Sequence, residues 1–348
     1  MSDLGRIESL TQEDFRHLLT GEDPEAERRL FLRAHYETTR RFGRKIFVRG
    51  LIEISNICRN DCYYCGLRRS NRTLGRYRLS REEILEACRI GYGIGFRTFV
   101  LQGGEDLYWR GARLVDLVRE IKGLYGDCAL TLSLGEMEAD EYRDLYRAGA
   151  DRYLLRHETH NLAHYARLHP PEMSGRHRLA CLRELKAIGF QTGTGIMVGS
   201  PGQTVAHIAE DLAFIADLRP EMIGVGPFLT HKDTPFRHEK NGSLDVTLRF
   251  IALCRLICPD ALIPATTAVA TLHPEGRSRA ILSGSNVVMP NLSPPAHRRQ
   301  YALYDDKACL GSEAAEGIRL LAEELHKIDY EIDFGRGDYA SSATPKNI

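Results

Sequence analysis

Short strand-like runs alternate with helical patterns through most of this chain, and that alternation constrains the fold more than any other feature of the sequence. RGLIEIS (49–55), RTFVLQG (97–103), CALTLSL (128–134), DRYLLRH (151–157), TGTGIMVG (192–199), EMIGVGPF (221–228), ALIPATTA (261–268) and NVVMPNL (286–292) are rich in aliphatic residues and bounded by polar or glycine turns. Helical patterns such as SREEILEACRIG, RGARLVDLVREIKG and QTVAHIAEDLAFIAD stand between them, several closing on a glycine. Strands separated by helices pair in parallel, and eight of them close a ring. The fold class expected is therefore α/β, a (β/α)8 TIM-type barrel over residues 46–310. A doubly wound open sheet is the competing arrangement. Residues 1–45 read as a helical N-terminal extension. Residues 311–348 read as an amphipathic helix, SEAAEGIRLLAEELHKI, and a loosely ordered tail, DYASSATPKNI.

Function in such a barrel gathers at the C-terminal ends of the strands. Cys58, Cys62 and Cys65 follow the first strand, and Gln102 to Asp106 follow the second. Thr131, Ser133 and Glu136 end the third, and Arg156, His157 and Glu158 end the fourth. Gly199 to Gln203 follow the fifth, Thr266 and Thr267 lie in the seventh, and Met289 to Asn291 end the eighth. Side chains alternate along a strand, so Arg156 and Glu158 share a face with Leu154 while His157 points away. For Arg156 and Glu158 to reach a polar site, the strand end has to bend.

The stretch ISNICRNDCYYCGLRRSN places three thiols at spacing C-x3-C-x2-C in a polar segment, with no fourth ligand beside them. Three such thiolates hold three corners of an iron-sulfur cube, or three positions around zinc with a ligand from elsewhere. Zinc sites of this size pair two matching motifs, and none follows here. Cysteines 88, 181, 254 and 258 fall in helical patterns and Cys128 in a strand, positions of ordinary buried thiols.

Lys and Arg number 47 and Asp and Glu number 47, so the chain lacks the cationic excess of a nucleic-acid binder, although RRSNRTLGRYR (68–78) is locally basic. No apolar run approaches the roughly 18 residues of a membrane span, and the charged N-terminus shows no export signal. The expectation is a cytoplasmic protein with no nucleic-acid or membrane partner.

The cysteine spacing after a first barrel strand resembles the cluster motif of the radical S-adenosylmethionine (SAM) enzymes. The resemblance implies one 4Fe-4S cluster on Cys58, Cys62 and Cys65, with SAM chelated at its open iron, and Tyr64 beside the adenine. It becomes closer over about residues 45–310. VLQGGEDLYW, TLSLGE, DRYLLRHETHN, MVGSPGQT, VGPFLTHKDTP, IPATTAVATLHPEGR and NVVMPNLSP are together similar to the HydE family of FeFe-hydrogenase maturases. That resemblance implies a radical SAM maturase acting on a cysteine-bound iron complex with carbon monoxide and cyanide. Its partners would be the other maturases and an electron donor. It further implies that Glu158 and Arg178 meet the SAM amino and carboxylate groups, with Gln102 and Glu105 nearby. Arg156 would bind a substrate carboxylate, and Thr131, Ser133, Thr266 and Thr267 small anions or carboxylate oxygens. Met222 and Met289 would line the cavity, and Tyr301 and Tyr304 close it. Some family members carry a second cluster on three C-terminal cysteines. Here only Cys309 is present, so one cluster per chain is expected. The alternatives are a radical SAM mutase or synthase of the methylornithine type, acting on an amino-acid-like substrate, and a non-catalytic iron-sulfur carrier.

Overall fold

The computed structural model describes residues 12–308 and 313–340. Six parallel strands, Gly50–Ser55, Thr98–Gly103, Ala129–Ser133, Arg152–Leu154, Gln191–Thr194 and Met222–Ile223, form one arc in chain order. Beyond it the wall thins to single bridges, Met222 to Leu262 and Pro264 to Val287. Val287–Val288 then pairs with Lys45–Val48, the outer half of the segment whose inner half begins the arc. Leu51 also bridges Asn291, so the pairing returns to its starting strand. The fold is an α/β partial barrel, regular over six parallel strands and continued by short paired strands and isolated bridges.

Period two separates the two faces of this wall. Ile52, Ile54, Phe99, Leu101, Leu130, Leu132 and Tyr153 join one apolar body with helix residues such as Ile84, Leu114, Leu117 and Leu182. The alternate set, including Arg49, Thr131, Arg152, Leu154 and Met222, faces the interior. The helices start where the sequence offers caps. Ser80 and Glu83 form a reciprocal capping box before Arg81–Ile94, and Asp23 accepts the N–H groups of Glu25 and Ala26 with Pro24 in the first turn. Helix Gln12–Thr20 lies against Val205–Leu218, and Pro24–Phe42 against Leu244–Ile257, so the N-terminal extension clasps the outside of the barrel. Among the described residues no helix is long and apolar enough to cross a membrane.

Two segments differ from the sequence-based reading. ALIPATTA is extended only at its start, since Thr267–Leu272 is a helix with Thr266 at its N-cap. Pro264 lacks the N–H that a continuous ladder needs, and Ala268 and Val269 bury a helical face. Thr266 and Thr267 therefore stand at the exit of the wall instead of within a strand. The stretch before the tail adds a strand that the sequence reading did not assign. Glu331–Asp333 pairs in parallel with Lys45–Phe47, and the residues after it turn beneath the barrel. There the buried Arg152 donates to Asp338 Oδ1 (2.7 Å), the Arg336 carbonyl (2.9 Å) and the Gly337 carbonyl (3.1 Å). Thr98 donates to the Arg336 carbonyl and Tyr339 N–H to Gln191, so the tail binds the first residues of three strands as a floor. Residues 341–348 and Cys309 lie outside the described residues.

Candidate active site

The cysteine loop leaves the strand Gly50–Ser55 at the mouth of the barrel, with Cys58, Cys62 and Cys65 all half-buried. Arg76 braces it by donating to the carbonyls of Asn56 (2.6 Å), Leu67 (2.9 Å), Arg68 (2.7 Å) and Asn71 (3.1 Å). Asp61 receives both arms of Arg68 and the N–H of Ser70, which holds its carboxyl well below the usual range. Gly66 follows the third cysteine because a Cβ there would come 2.1 Å from the Ala302 carbonyl oxygen. Burial and then the neighbouring thiols raise Cys62 well above its ordinary pKa and Cys65 up to about 12. Thiols shifted in this way become thiolates only beside strong positive charge, which a bound iron would supply. Among the described residues no three His, Cys, Asp or Glu side chains converge as the ligands of a single ion. Three thiols spread along one loop suit the separate corners of a cube. Cysteines 88, 128, 181, 254 and 258 are buried in the wall and helices.

Tyr64 is fixed from outside the loop. His169 Nδ1 lies 2.9 Å from the Tyr165 carbonyl, which can only accept, so that nitrogen carries the proton and Nε2 accepts from the Tyr64 hydroxyl at 3.3 Å. Burial lowers the His169 pKa to about 3. The folded state therefore binds fewer protons than the unfolded state between about pH 6.5 and 3, and stability present above that window falls as pH drops through it. Urea unfolding at pH 7.5 and 5.5 should show a loss about 1.4 kcal/mol greater for the wild type than for His169→Gln, which cannot titrate.

Beside the loop lies a network of buried charges. Arg178, from helix Gly175–Ile188, stands 2.7 Å from Glu136 and 4.0 Å from Glu105. Glu105 also pairs with Arg59 (3.1 Å) and accepts the Glu136 N–H (3.0 Å). Gly135, at φ +82°, is required because a Cβ would overlap the Glu105 side chain. Arg178 also reaches the Arg156 carbonyl at 3.5 Å. Arg178 and Glu105, two of the residues expected near SAM, are thus held by protein partners. Glu136, which the sequence marked only as ending a strand, is central to holding them.

The wall strand that begins at Arg152 stops at Leu154, and Glu158 takes φ +64°. This is the bend that the alternation required, and it lets Glu158 Oε2 meet Arg156 Nη2 at 2.8 Å. His157 points outward, as expected. Its Nδ1 is 2.7 Å from Thr194 Oγ1, and its Nε2 is 3.3 Å from the carboxylate of Asp211 on helix Val205–Leu218. Asp211 also accepts the His160 N–H at 2.5 Å, so one fully buried carboxylate pins both sides of the turn that carries Glu158. Asp211→Leu strands a buried N–H and should cost about 2 to 3 kcal/mol in denaturant unfolding. Asp211→Asn keeps an acceptor and should cost less. Both should weaken SAM binding as the Glu158 turn relaxes.

Deeper inside, Gln102 donates to the Tyr301 hydroxyl at 3.3 Å, with Ser133 beside it in register. Burial raises Tyr304 to about 12. The wholly buried Glu53 pairs with Lys307 and accepts from Asn291 at 2.8 Å. Thr266 Oγ1 donates to the Val225 carbonyl at 3.1 Å, and Thr267 opens the helix beyond it. Met222 forms an apolar cluster with Leu262 and Val287, against which Met289 and Leu154 pack. Next to it lies Arg49, only 4% exposed, whose Nη1 touches Met222 Sδ at 3.2 Å and whose Nε and Nη2 have no partner. Burial and the charge of Arg152 lower its pKa well below the ordinary value. Thr131 Oγ1 and Arg156 Nε are likewise buried and unbonded. The sequence reading missed Arg49, Glu53, Lys307, His169 and Asp211.

A family model of the Radical SAM superfamily matches residues 52–215. The [FeFe] hydrogenase maturase subunit HydE of Thermotoga maritima is 44% identical over 300 residues, 86% of this chain and 85% of that one. The chain belongs to the radical SAM superfamily. Among other radical SAM relatives, 3-methylornithine synthase of Methanosarcina acetivorans is 31% identical over 298 residues, 85% of this chain and 83% of that one. The crystal structure of methylornithine synthase (PylB) superposes with a TM-score of 0.79 at 27% identity, covering 94% of this chain and 96% of that one. HydG from Carboxydothermus hydrogenoformans gives 0.76 at 19% identity over 93% of this chain and 76% of that one, a likeness of fold. This chain is a radical SAM enzyme related to the HydE, HydG and PylB group. Members of the superfamily typically use a 4Fe-4S cluster and SAM to generate a 5′-deoxyadenosyl radical.

Proposed function

We propose that this radical SAM enzyme acts on a small amino-acid-like molecule held by its carboxylate inside the barrel. The observation that carries the reading is the set of buried donors without protein partners, Nε and Nη2 of Arg49, Nε of Arg156 and Oγ1 of Thr131. The Arg49 guanidinium, buried in this way, would be stabilised by an anion, and a carboxylate fits its planar fork, whereas Arg156 already pairs with Glu158 and keeps its Nε free. Cys58, Cys62 and Cys65 would hold the cluster, which when reduced supplies the electron that cleaves SAM. The Arg156–Glu158 turn and Tyr64 would orient the nucleoside and amino-acid ends of SAM. The enclosing wall and the floor under Arg152 keep water from a reactive carbon radical.

Two molecules of this class are supported. The likeness to methylornithine synthase over nearly the whole of both chains favours an amino acid that undergoes rearrangement. The higher identity to HydE favours a cysteine-bound iron complex with carbon monoxide and cyanide, delivered by a partner maturase. Polarizable thioethers at Met222 and Met289 suit the second. The test is anaerobic reconstitution with SAM and dithionite, with 5′-deoxyadenosine measured in the presence of L-lysine, L-ornithine or the cysteine-bound iron complex. Turnover stimulated by one of these and lost in Arg156→Leu supports the reading. Stimulation by none, from an enzyme that still cleaves SAM, rejects this substrate class.

A further inference from the structure

Reductive SAM cleavage consumes an electron that comes from outside the chain, and its carrier has to approach the thiols of the cysteine loop. We propose that the face formed by this loop, the first turn of helix Gly175–Ile188 and the loop after Thr98–Gly103 is the docking surface of an acidic one-electron carrier protein. The inference rests on the radical SAM assignment and not on which substrate the barrel holds.

Contacts place these segments side by side. The Arg69 N–H donates to the Asn60 carbonyl at 2.8 Å, and Arg69 stands 3.4 Å from Glu172. Met173 Sδ lies 3.7 Å from Cys62 Sγ, and Arg176 follows three residues later in the first helical turn. The Arg59–Glu105 pair joins the loop to the segment carrying Leu107 and Tyr108. These two residues are 61% and 42% exposed, and the Arg78 and Arg113 guanidiniums lie 5.0 and 3.9 Å from the Tyr108 ring. Exposed apolar side chains with arginines around them therefore stand on the segment joined to the cysteine loop.

The surplus charge on this face is positive. Arg72 and Arg176 are exposed and have no carboxylate partner among the described residues. The carboxylates nearby are already engaged, Asp61 by Arg68, Glu105 by Arg59, Asp106 by Arg78 and Glu172 by Arg69, while Asp233 accepts the Thr73 hydroxyl. The chain as a whole carries no formal net charge, so this surplus is local and gives direction to the approach of an acidic partner. The same face lies over the cluster loop, which keeps the electron's path short, and away from the floor of the barrel.

The test uses the reconstituted full chain and measures 5′-deoxyadenosine formation under two reductants, dithionite and a stoichiometric acidic flavodoxin in its hydroquinone form. The double variant Arg69→Glu with Arg72→Glu, and separately Arg176→Glu, should lower the flavodoxin-driven rate roughly tenfold or more. The dithionite-driven rate, iron content and melting temperature should stay at wild-type values. The wild-type flavodoxin-driven rate should also fall steeply between about 50 and 300 mM salt. The milder Arg69→Gln and Arg176→Gln variants should show the same selectivity if a reversal of charge perturbs the loop. An unchanged flavodoxin-driven rate overturns the proposal. So does an equal loss under both reductants, which would assign these arginines to the cluster itself. If instead only turnover of a substrate delivered by another protein declines, the face belongs to that protein and the proposal also fails. Failure of the radical SAM assignment would be recognised separately, as no wild-type cleavage with dithionite.

Discussion

Cys62→Ala is expected to bring 5′-deoxyadenosine formation down to background under any reductant. The middle thiol is flanked by the other two, which together with burial hold its pKa well above the ordinary value. Removing it leaves two sulfurs where a cube needs three corners, and among the described residues no other cysteine is placed to substitute, since 88, 128, 181, 254 and 258 are buried elsewhere. Iron and sulfide analysis with electron paramagnetic resonance of the reduced protein should show the cluster lost or degraded. The fold should persist, because Arg76 and the Asp61–Arg68 pair brace the loop without help from the thiols. A variant that kept full iron content and full SAM cleavage would remove the basis for the site.

Arg49→Met should move stability and binding in opposite directions. The guanidinium is enclosed beside Met222 with two nitrogens unbonded, and a second buried cation, Arg152, repels it. An apolar side chain of similar length removes that penalty, and replacing buried charge in this way stabilises proteins by on the order of 1 to 4 kcal/mol. The denaturant midpoint should therefore rise. The same change removes two of the free donors that an anionic ligand would use, so substrate-stimulated turnover should decline on the order of a hundredfold while SAM cleavage without substrate continues. A variant that is less stable than wild type would mean that the Asp338 carboxylate, which also acts on the guanidinium, outweighs burial and the repulsion by Arg152.

The cysteines were legible because a short polar run gathers three thiols for little besides holding metal. The turn at Arg156, His157 and Glu158 was legible from period two alone, which sent His157 outward and demanded the bend that Glu158 makes. Arg49 was not, because an arginine at the beginning of RGLIEIS looks solvated. It is enclosed only because Val287–Val288 pairs beside it and the tail passes beneath. Asp211 sits within an apolar helix, a visible signal, yet its meaning depends on the turn at 157–160 brought against it by the barrel. The β-branched threonines of PATTA read as strand residues, which would put Thr266 and Thr267 within the wall. Pro264 and the helical burial of Ala268 and Val269 decided otherwise. The tail sequence FGRGDY is short and polar, and nothing local in it announces partners about 180 residues away at Arg152.

That floor and the pairing of Lys45–Val48 set a schedule for biosynthesis. The first wall segment finds its lateral neighbours only once residues 287–288 and 331–333 have been synthesised, about 240 to 290 residues after it. Until then one side of the arc is an open edge, able to recruit another nascent chain, and the interior arginines stand in water instead of in a closed cavity. Such distant pairings also slow the search for the native state. Cells making this protein therefore carry a long interval between synthesis of the cysteine loop and completion of the chamber around it. Loading of metal before release from the ribosome would take place on an unfinished vessel.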